Sequence, residues 1–285
     1  SLQGCNRSAP VATQFQYQFA LCTDRPDSGY WSQIEKGFVD SLPKLNARVR
    51  TYYPSPPQKE PPYGLLKTEV AALRGCAFDL PSDKTSEQII YTLIEAGVPV
   101  ICVGRDLPRS ARLAVITTDY YEAGHKAAAF LASRTKAGKV IMAGDYPIPN
   151  AWVDLLDGVR HELNKNRTLR LYLMRTAQPE QLARRLRLVC RDPQLRGMFL
   201  LGSEALHTAV RVLQEQGKHK QVLLAGLSYN PQDKSLVDSG ACQLLLRENL
   251  GKMGEKAAHL LWELAQAKPC PAERIDVPFE VYTAR

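Results

Sequence analysis

No apolar run in this 285-residue chain exceeds the length of a strand, so no segment of it reads as a membrane-crossing helix. A phosphate-cradling G-x-x-x-x-G-K-[ST] loop is missing, and no G-x-G-x-x-G sits between a strand and a helix. Gly-x-Ser-x-Gly and His-Glu-x-x-His are missing too. The five histidines, His125, His161, His207, His219 and His259, fall mostly on helical patterns among polar neighbours, without a partner at catalytic spacing. Cysteines show no C-x-x-C or Cys/His ligand spacing, which argues against a metal site. With no nucleophile, base and orienting group at useful spacing, an enzyme is the weakest reading of the chain, and no cofactor is expected.

What is present is an ordinary globular composition, 45% hydrophobic and 23% charged, in a chain long enough for two lobes. The formal net charge of +8 raises the question of nucleic acid. The basic residues are dispersed, however, and Arg184-Arg185-Leu186-Arg187 is spaced like the wet face of a helix. Without zinc-finger spacing or a helix-turn-helix, no nucleic-acid partner is expected. Of seven cysteines, Cys22 and Cys102 fall within apolar strand patterns, where a thiol behaves as a small hydrophobe. Cys5 is different, because Leu2-Gln3-Gly4-Cys5 resembles the lipobox of bacterial lipoproteins. Two readings stay open: a lipid attachment site at Cys5 with residues 1–14 as a tether, or a chance match to a short pattern.

Along the chain, strand patterns alternate with helical ones. Strands are predicted at residues 15–23, 49–53, 76–80, 98–103, 113–116, 139–143, 169–175, 197–201, 221–227 and 241–247, with an alternating edge strand at 274–282. Helices are predicted at 30–42, 63–73, 85–96, 120–133, 151–164, 179–190, 203–216, 231–238 and 250–267. Residues 54–62, five of them proline, form an extended loop. Such alternation implies right-handed parallel crossovers and therefore α/β sheets covered on both faces. Ligands bind beyond the carboxyl ends of such strands, which draws attention to Gly104-Arg105-Asp106 and Thr118-Asp119-Tyr120.

The order of short motifs then resembles the type I periplasmic binding protein superfamily, the ribose-binding-like group that also supplies the sensor domains of LacI-type repressors. The motifs are Tyr30-Trp31-Ser32 with Lys36-Gly37-Phe38, Ala96-Gly97-Val98-Pro99-Val100-Ile101, Thr118-Asp119-Tyr120 with Gly124, and Asp157-Gly158. Gly202-Ser203-Glu204-Ala205 and Asp238-Ser239-Gly240 complete the series, which spans residues 15–282. The resemblance implies two Rossmann-like lobes with parallel sheets and a hinge of three chain crossings. It divides the chain into lobe 1, residues 15–116 plus 250–272, and lobe 2, residues 117–249 plus 273–285.

It also implies a site. Tyr30 and Trp31 match paired aromatics that stack on sugar rings, with anchoring of the first helix in the core as the other reading. Arg105 matches a ligand-binding arginine at a strand end. Asp119 matches an aspartate at a helix start, where N-capping is the other role open to it. Tyr120, Trp152, Ser228 and Glu248 fall at positions facing the cleft, as do the loop residues Tyr146, Tyr229, Asn230 and Arg247, with surface-loop or lobe packing as the other reading of the loop residues, Trp152 and Glu248. Departures from the sugar-binding pattern are marked. Gly104 stands where an acid is usual, Leu155 where an arginine is, Gly202 for an asparagine or aspartate, Ser228 for an aspartate and Glu248 for a glutamine.

The function implied is capture of a small polar ligand, a sugar or sugar-like molecule, in the periplasm or at the cell surface, for an ABC permease or a membrane sensor. The alternative is the effector-sensing core of a LacI-type regulator without its DNA-binding segment.

Overall fold

The computed structural model describes residues 15–52, 70–165 and 167–284. Cys5, the proline-rich loop and most of the helix predicted at 63–73 lie outside these residues. The described chain forms two six-stranded sheets. The first holds β1 (Tyr17–Thr23), β2 (Ala47–Tyr52), β3 (Gly75–Asp79), β4 (Val100–Val103) and β5 (Ala114–Thr117), joined by the late strand β11 (Arg274–Asp276). The second holds β6 (Gly138–Gly144), β7 (Leu169–Arg175), β8 (Leu195–Leu201), β9 (Leu223–Ser228), β10 (Leu244–Arg247) and β12 (Glu280–Thr283).

Strand order is β11-β5-β4-β3-β1-β2 in one sheet and β12-β10-β9-β8-β6-β7 in the other. Every pairing is parallel except that of β12 with β10. β3, β4 and β5 are buried at every residue, as helices on both faces require. The edge strands β2 and β7 leave most of their residues partly or fully exposed instead.

Helices α1 (Gly29–Leu45), α2 (Lys84–Glu95) and α8 (Leu250–Ala265) flank the first sheet. With the second go α3 (Tyr120–Arg134), α4 (Ala151–Leu163), α5 (Pro179–Val189), α6 (Ser203–Glu215) and the short α7 (Lys234–Asp238). Their starts follow local chemistry. Ser28, Asp83, Asp119 and Asn249 each accept a hydrogen bond from a first-turn backbone N–H, satisfying a donor that the helix itself leaves free.

One feature of packing recurs in both lobes. A Cβ built on Gly37 of α1 would stand 1.9 Å from the Gly251 carbonyl oxygen, and one on Gly254 of α8 would stand 1.9 Å from that of Ile34. In lobe 2, Gly124 of α3 would meet the Leu155 oxygen at 2.1 Å, and Gly158 of α4 the Tyr121 oxygen at 2.0 Å. Each sheet is thus covered by a helix pair in which glycine of either helix touches the other's backbone.

The chain crosses between lobes at Thr118–Asp119, at Glu248–Asn249 and at residues 277–279. The third crossing corrects the sequence reading. The edge strand expected over 274–282 is two short strands in different sheets, and Arg274–Asp276 pairs with β5 in lobe 1. Val277, 1% exposed, donates its N–H to the Thr117 carbonyl at 2.7 Å, and Pro278, lacking an N–H, ends the pairing. The boundary expected at 272/273 therefore lies at 277–279.

Replacing Gly37 by alanine forces two helix backbones apart, and overpacking of this kind costs about 1–3 kcal/mol. Gly251→Ala, whose Cβ would meet only a side-chain oxygen at 3.9 Å, is the control and leaves stability unchanged or slightly raised. Denaturant unfolding of the two variants distinguishes backbone contact from a general intolerance of alanine.

Candidate functional site

Lobe 1 presents a rim organised by one carboxylate. Asp79 ends β3, where an apolar strand emerges toward the cleft, yet it is 0% exposed. Its Oδ2 accepts from Arg25 Nε at 2.7 Å and from Thr23 Oγ1 at 3.1 Å. Its Oδ1 accepts from Arg25 Nη2 at 2.9 Å and from Arg105 Nε at 2.8 Å. Arg105 Nη2 also donates to the Asp79 carbonyl at 2.7 Å and to the Asp24 carboxylate. Arg105, assigned to the ligand by resemblance, is therefore committed to Asp79 and Asp24. A buried acid left without these cations would be strongly unfavourable.

Arg25 reaches further. Its Nη1 donates across the cleft to the Pro147 carbonyl of lobe 2 at 2.8 Å, and its guanidinium carbon lies 4.9 Å from the centre of the Tyr30 ring. Gln33 Nε2 of α1 makes a second bond across the cleft, to the Tyr229 carbonyl at 3.1 Å.

Between these contacts stands a cluster of tyrosines around Glu248. Glu248 occupies the second crossing and is 0% exposed. Tyr120 Oη donates to its Oε1 at 2.7 Å, and Tyr146 Oη donates to its Oε2. Tyr120 begins α3 directly after the first crossing, while Tyr146 follows β6. Their rings meet edge-on at 5.8 Å, Tyr146 meets Tyr229 at 6.2 Å, and Tyr229 meets Tyr30 of lobe 1 at 5.4 Å. Three buried side-chain atoms at or beside this cluster, Tyr30 Oη, Trp31 Nε1 and Thr118 Oγ1, have no hydrogen-bond partner among the described residues.

The structure thus brings Tyr30, Tyr120 and Glu248 together and adds Tyr146 and Tyr229. Trp31 lies beside Tyr30, wholly buried in the same apolar cluster. Trp152 begins α4, 7% exposed, with the Arg175 guanidinium 5.3 Å from its ring.

Other expected residues are engaged elsewhere. Asp119 accepts from the Glu122 N–H at 2.9 Å, which is the N-cap role. Ser228 donates to Asp233 Oδ2 at 2.5 Å and accepts from the Asn230 N–H at 3.0 Å. Asp233 also receives Ser203 Oγ at 2.9 Å and contacts His207 Nε2 at 2.8 Å. Serine, histidine and aspartate meet here, but both hydroxyls donate to the carboxylate and neither is poised on the histidine, so the group has no nucleophile–base pair. Arg247 is held by Glu280 at 2.5 Å.

The sequence reading missed Asp79, Asp24 and Arg25. The signal that was available is a charged residue closing the apolar run Cys76-Ala77-Phe78. Gly104 also gains an explanation. Its φ is +82°, and a Cβ there would stand 2.9 Å from Tyr30 Cε1, so the tyrosine ring fills the space of a side chain at 104. Beside the cluster, a cavity of about 380 Å³ opens on the lobe 2 rim, lined by Asp145, Tyr146, Gln178, Gly202, Ser203 and Tyr229.

Burial pushes the Glu248 carboxyl above its ordinary value of 4.5, while the bonds from Tyr146 and Tyr120 and the charge of Arg25 pull the other way. An acid whose folded pKa is raised binds more protons folded than unfolded. Its contribution to stability is therefore full below 4.5 and falls as pH climbs through the raised value. Glu248→Gln removes that loss, so the variant melts above the native protein at neutral pH and the gap closes toward pH 4, as paired thermal melts would read.

The fold recurs among solved structures. GanP, a glucose-galactose binding protein from Geobacillus stearothermophilus, superimposes with a TM-score of 0.77 at 19% identity, over 94% of this chain and 97% of its own. A sugar-binding protein of a sugar ABC transporter from Bacillus halodurans gives 0.80 at 17% identity, with coverage of 94% and 97%. AraP, an arabinose binding protein from Geobacillus stearothermophilus, gives 0.78 at 19% identity, with the same coverage. No curated protein sequence matches the chain. The sequence model of the periplasmic binding protein domain matches residues 19–269, from β1 through α8 and both helix pairs, and the chain belongs to that family.

Proposed function

We propose that this protein is an extracytoplasmic solute-binding protein that captures a small polar molecule, a sugar or sugar-like compound, between its lobes. The closed form would be read by an ABC permease or a membrane sensor. Members of the family bind their ligands without transforming them. The observation that carries this reading is the convergence, at the hinge end of the cleft, of Glu248 with tyrosines drawn from both lobes. Aromatic faces suit the C–H faces of a sugar ring, and a carboxylate with hydroxyls suits its polar edge. The names of GanP and AraP support the ligand class.

Closure gives binding its consequence. Expelling water from the cleft strengthens each polar contact, and a ligand favouring the closed form shifts the open–closed population that a partner senses. No described helix is long and apolar enough to cross a membrane. Lipid on Cys5 would supply a tether, and Cys5→Ala would then release the protein from the membrane fraction into the soluble one.

A thermal-shift screen across sugars, polyols, amino acids and nucleosides tests the reading. A ligand at about a hundred times its Kd stabilises the fold by about 2.7 kcal/mol. Tyr229→Ala removes a half-buried ring, so we expect it to weaken binding by about tenfold or more while costing the fold little. The reading fails if no sugar moves the melting temperature of the native protein.

A further inference from the structure

Three carboxylates are wholly buried among the described residues, Asp79, Asp233 and Glu248. Asp79 is matched by two guanidiniums, and Asp233 is held by the Ser203 and Ser228 hydroxyls and contacts the His207 ring. Glu248 is met by neutral hydroxyls, those of Tyr146 and Tyr120 and, beside them, Thr118. Cationic groups around the cleft are spent elsewhere: Arg105 on Asp79 and Asp24, Arg175 on Asp145, Arg247 on Glu280. Arg25, whose charge acts on Glu248, holds Asp79 and the Pro147 carbonyl. The carboxylate at the hinge end of the cleft is thus left without a positively charged hydrogen-bond partner among the described residues.

Its surroundings are complementary to such a partner. Tyr30, Tyr120, Tyr146 and Tyr229 meet edge-on around it, with ring centres 5.4–6.2 Å apart. Aromatic faces attract an ammonium through the ring quadrupole, and a carboxylate adds a charge-assisted hydrogen bond. The unpartnered Tyr30 Oη, Trp31 Nε1 and Thr118 Oγ1 offer donors and acceptors to neutral hydroxyls.

We propose that the cleft takes a sugar bearing a protonated amino group, its ammonium against the Glu248 carboxylate within the tyrosine box and its hydroxyls on the unpartnered groups. The inference rests on the sugar-binding reading above. A neutral sugar entering the same cleft would leave the charge of Glu248 uncompensated in a medium without water, where an unpaired ion is costly.

Calorimetry at neutral pH with matched pairs tests it: glucosamine and glucose, galactosamine and galactose, mannosamine and mannose, with N-acetylglucosamine as the uncharged amide. At least one amino sugar should bind about tenfold more tightly than its neutral counterpart, a difference of the size that a single charge-assisted contact supplies. Glu248→Gln, verified as folded by its melting curve, should erase that preference, so that the two members of each pair bind with similar affinity. Equal or tighter binding of the neutral sugars and of N-acetylglucosamine, or a preference that survives Glu248→Gln, overturns the amino-sugar inference and leaves the sugar-binding reading standing. Failure of every member of every pair to bind overturns the amino-sugar inference, and the thermal-shift screen across other sugars then decides the sugar-binding reading.

Discussion

A carboxylate buried where the chain passes from one lobe to the other constrains everything around the cleft. Glu248 lies between β10, in the sheet of lobe 2, and α8, packed in lobe 1, so relative motion of the lobes passes through the segment that carries it. Out of water it must be hydrogen-bonded. Its donors come from Tyr120, just past the first crossing, and Tyr146, at the end of the first lobe 2 strand. Separating Tyr146 from the hinge would oblige the carboxylate to find water or another donor. Both donors belong to lobe 2, like β10, and the lobe 1 ring of Tyr30 covers the cluster from the other side through Tyr229.

Lobe interiors are built on a different principle. The paired helices α1/α8 and α3/α4 meet backbone to backbone at glycine, with no long side chain between them to change rotamer. Contacts of that kind deform little, whereas the cleft is lined by tyrosine rings and arginine stems that can turn. The contrast suits rigid bodies moving about three short crossings, with adaptation confined to side chains between them.

The sequence disclosed the architecture because its signals are local. Apolar strand runs, the caps Ser28 and Asp119 and the alternation of strand with helix are all read within a few residues. What it hid depends on residues far apart in the chain. Arg105 reads as a ligand group until Asp79, 26 positions earlier, is seen to hold it. Ser228 faces inward to Asp233 because that residue turns back beneath it in a short helix, a detail of loop geometry that periodicity does not carry. The third crossing was obscured because Arg274–Asp276 and Glu280–Thr283 both look like edge strands, and only pairing distinguishes the sheets they join. Gly104 was legible as a missing acid but not as room for Tyr30, since the two lie on different elements of lobe 1.

Both hydrogen bonds that span the open side of the cleft share a trait. Arg25 and Gln33 are side chains of lobe 1, and each donates to a main-chain carbonyl of lobe 2, at Pro147 and at Tyr229. Every amino acid has a carbonyl, so the identities of residues 147 and 229 are unconstrained by these clasps so long as the backbone keeps its course. Side chains of the lobe 2 loops can thereby change at these positions without loosening the fastening that Arg25 and Gln33 supply from the opposite side.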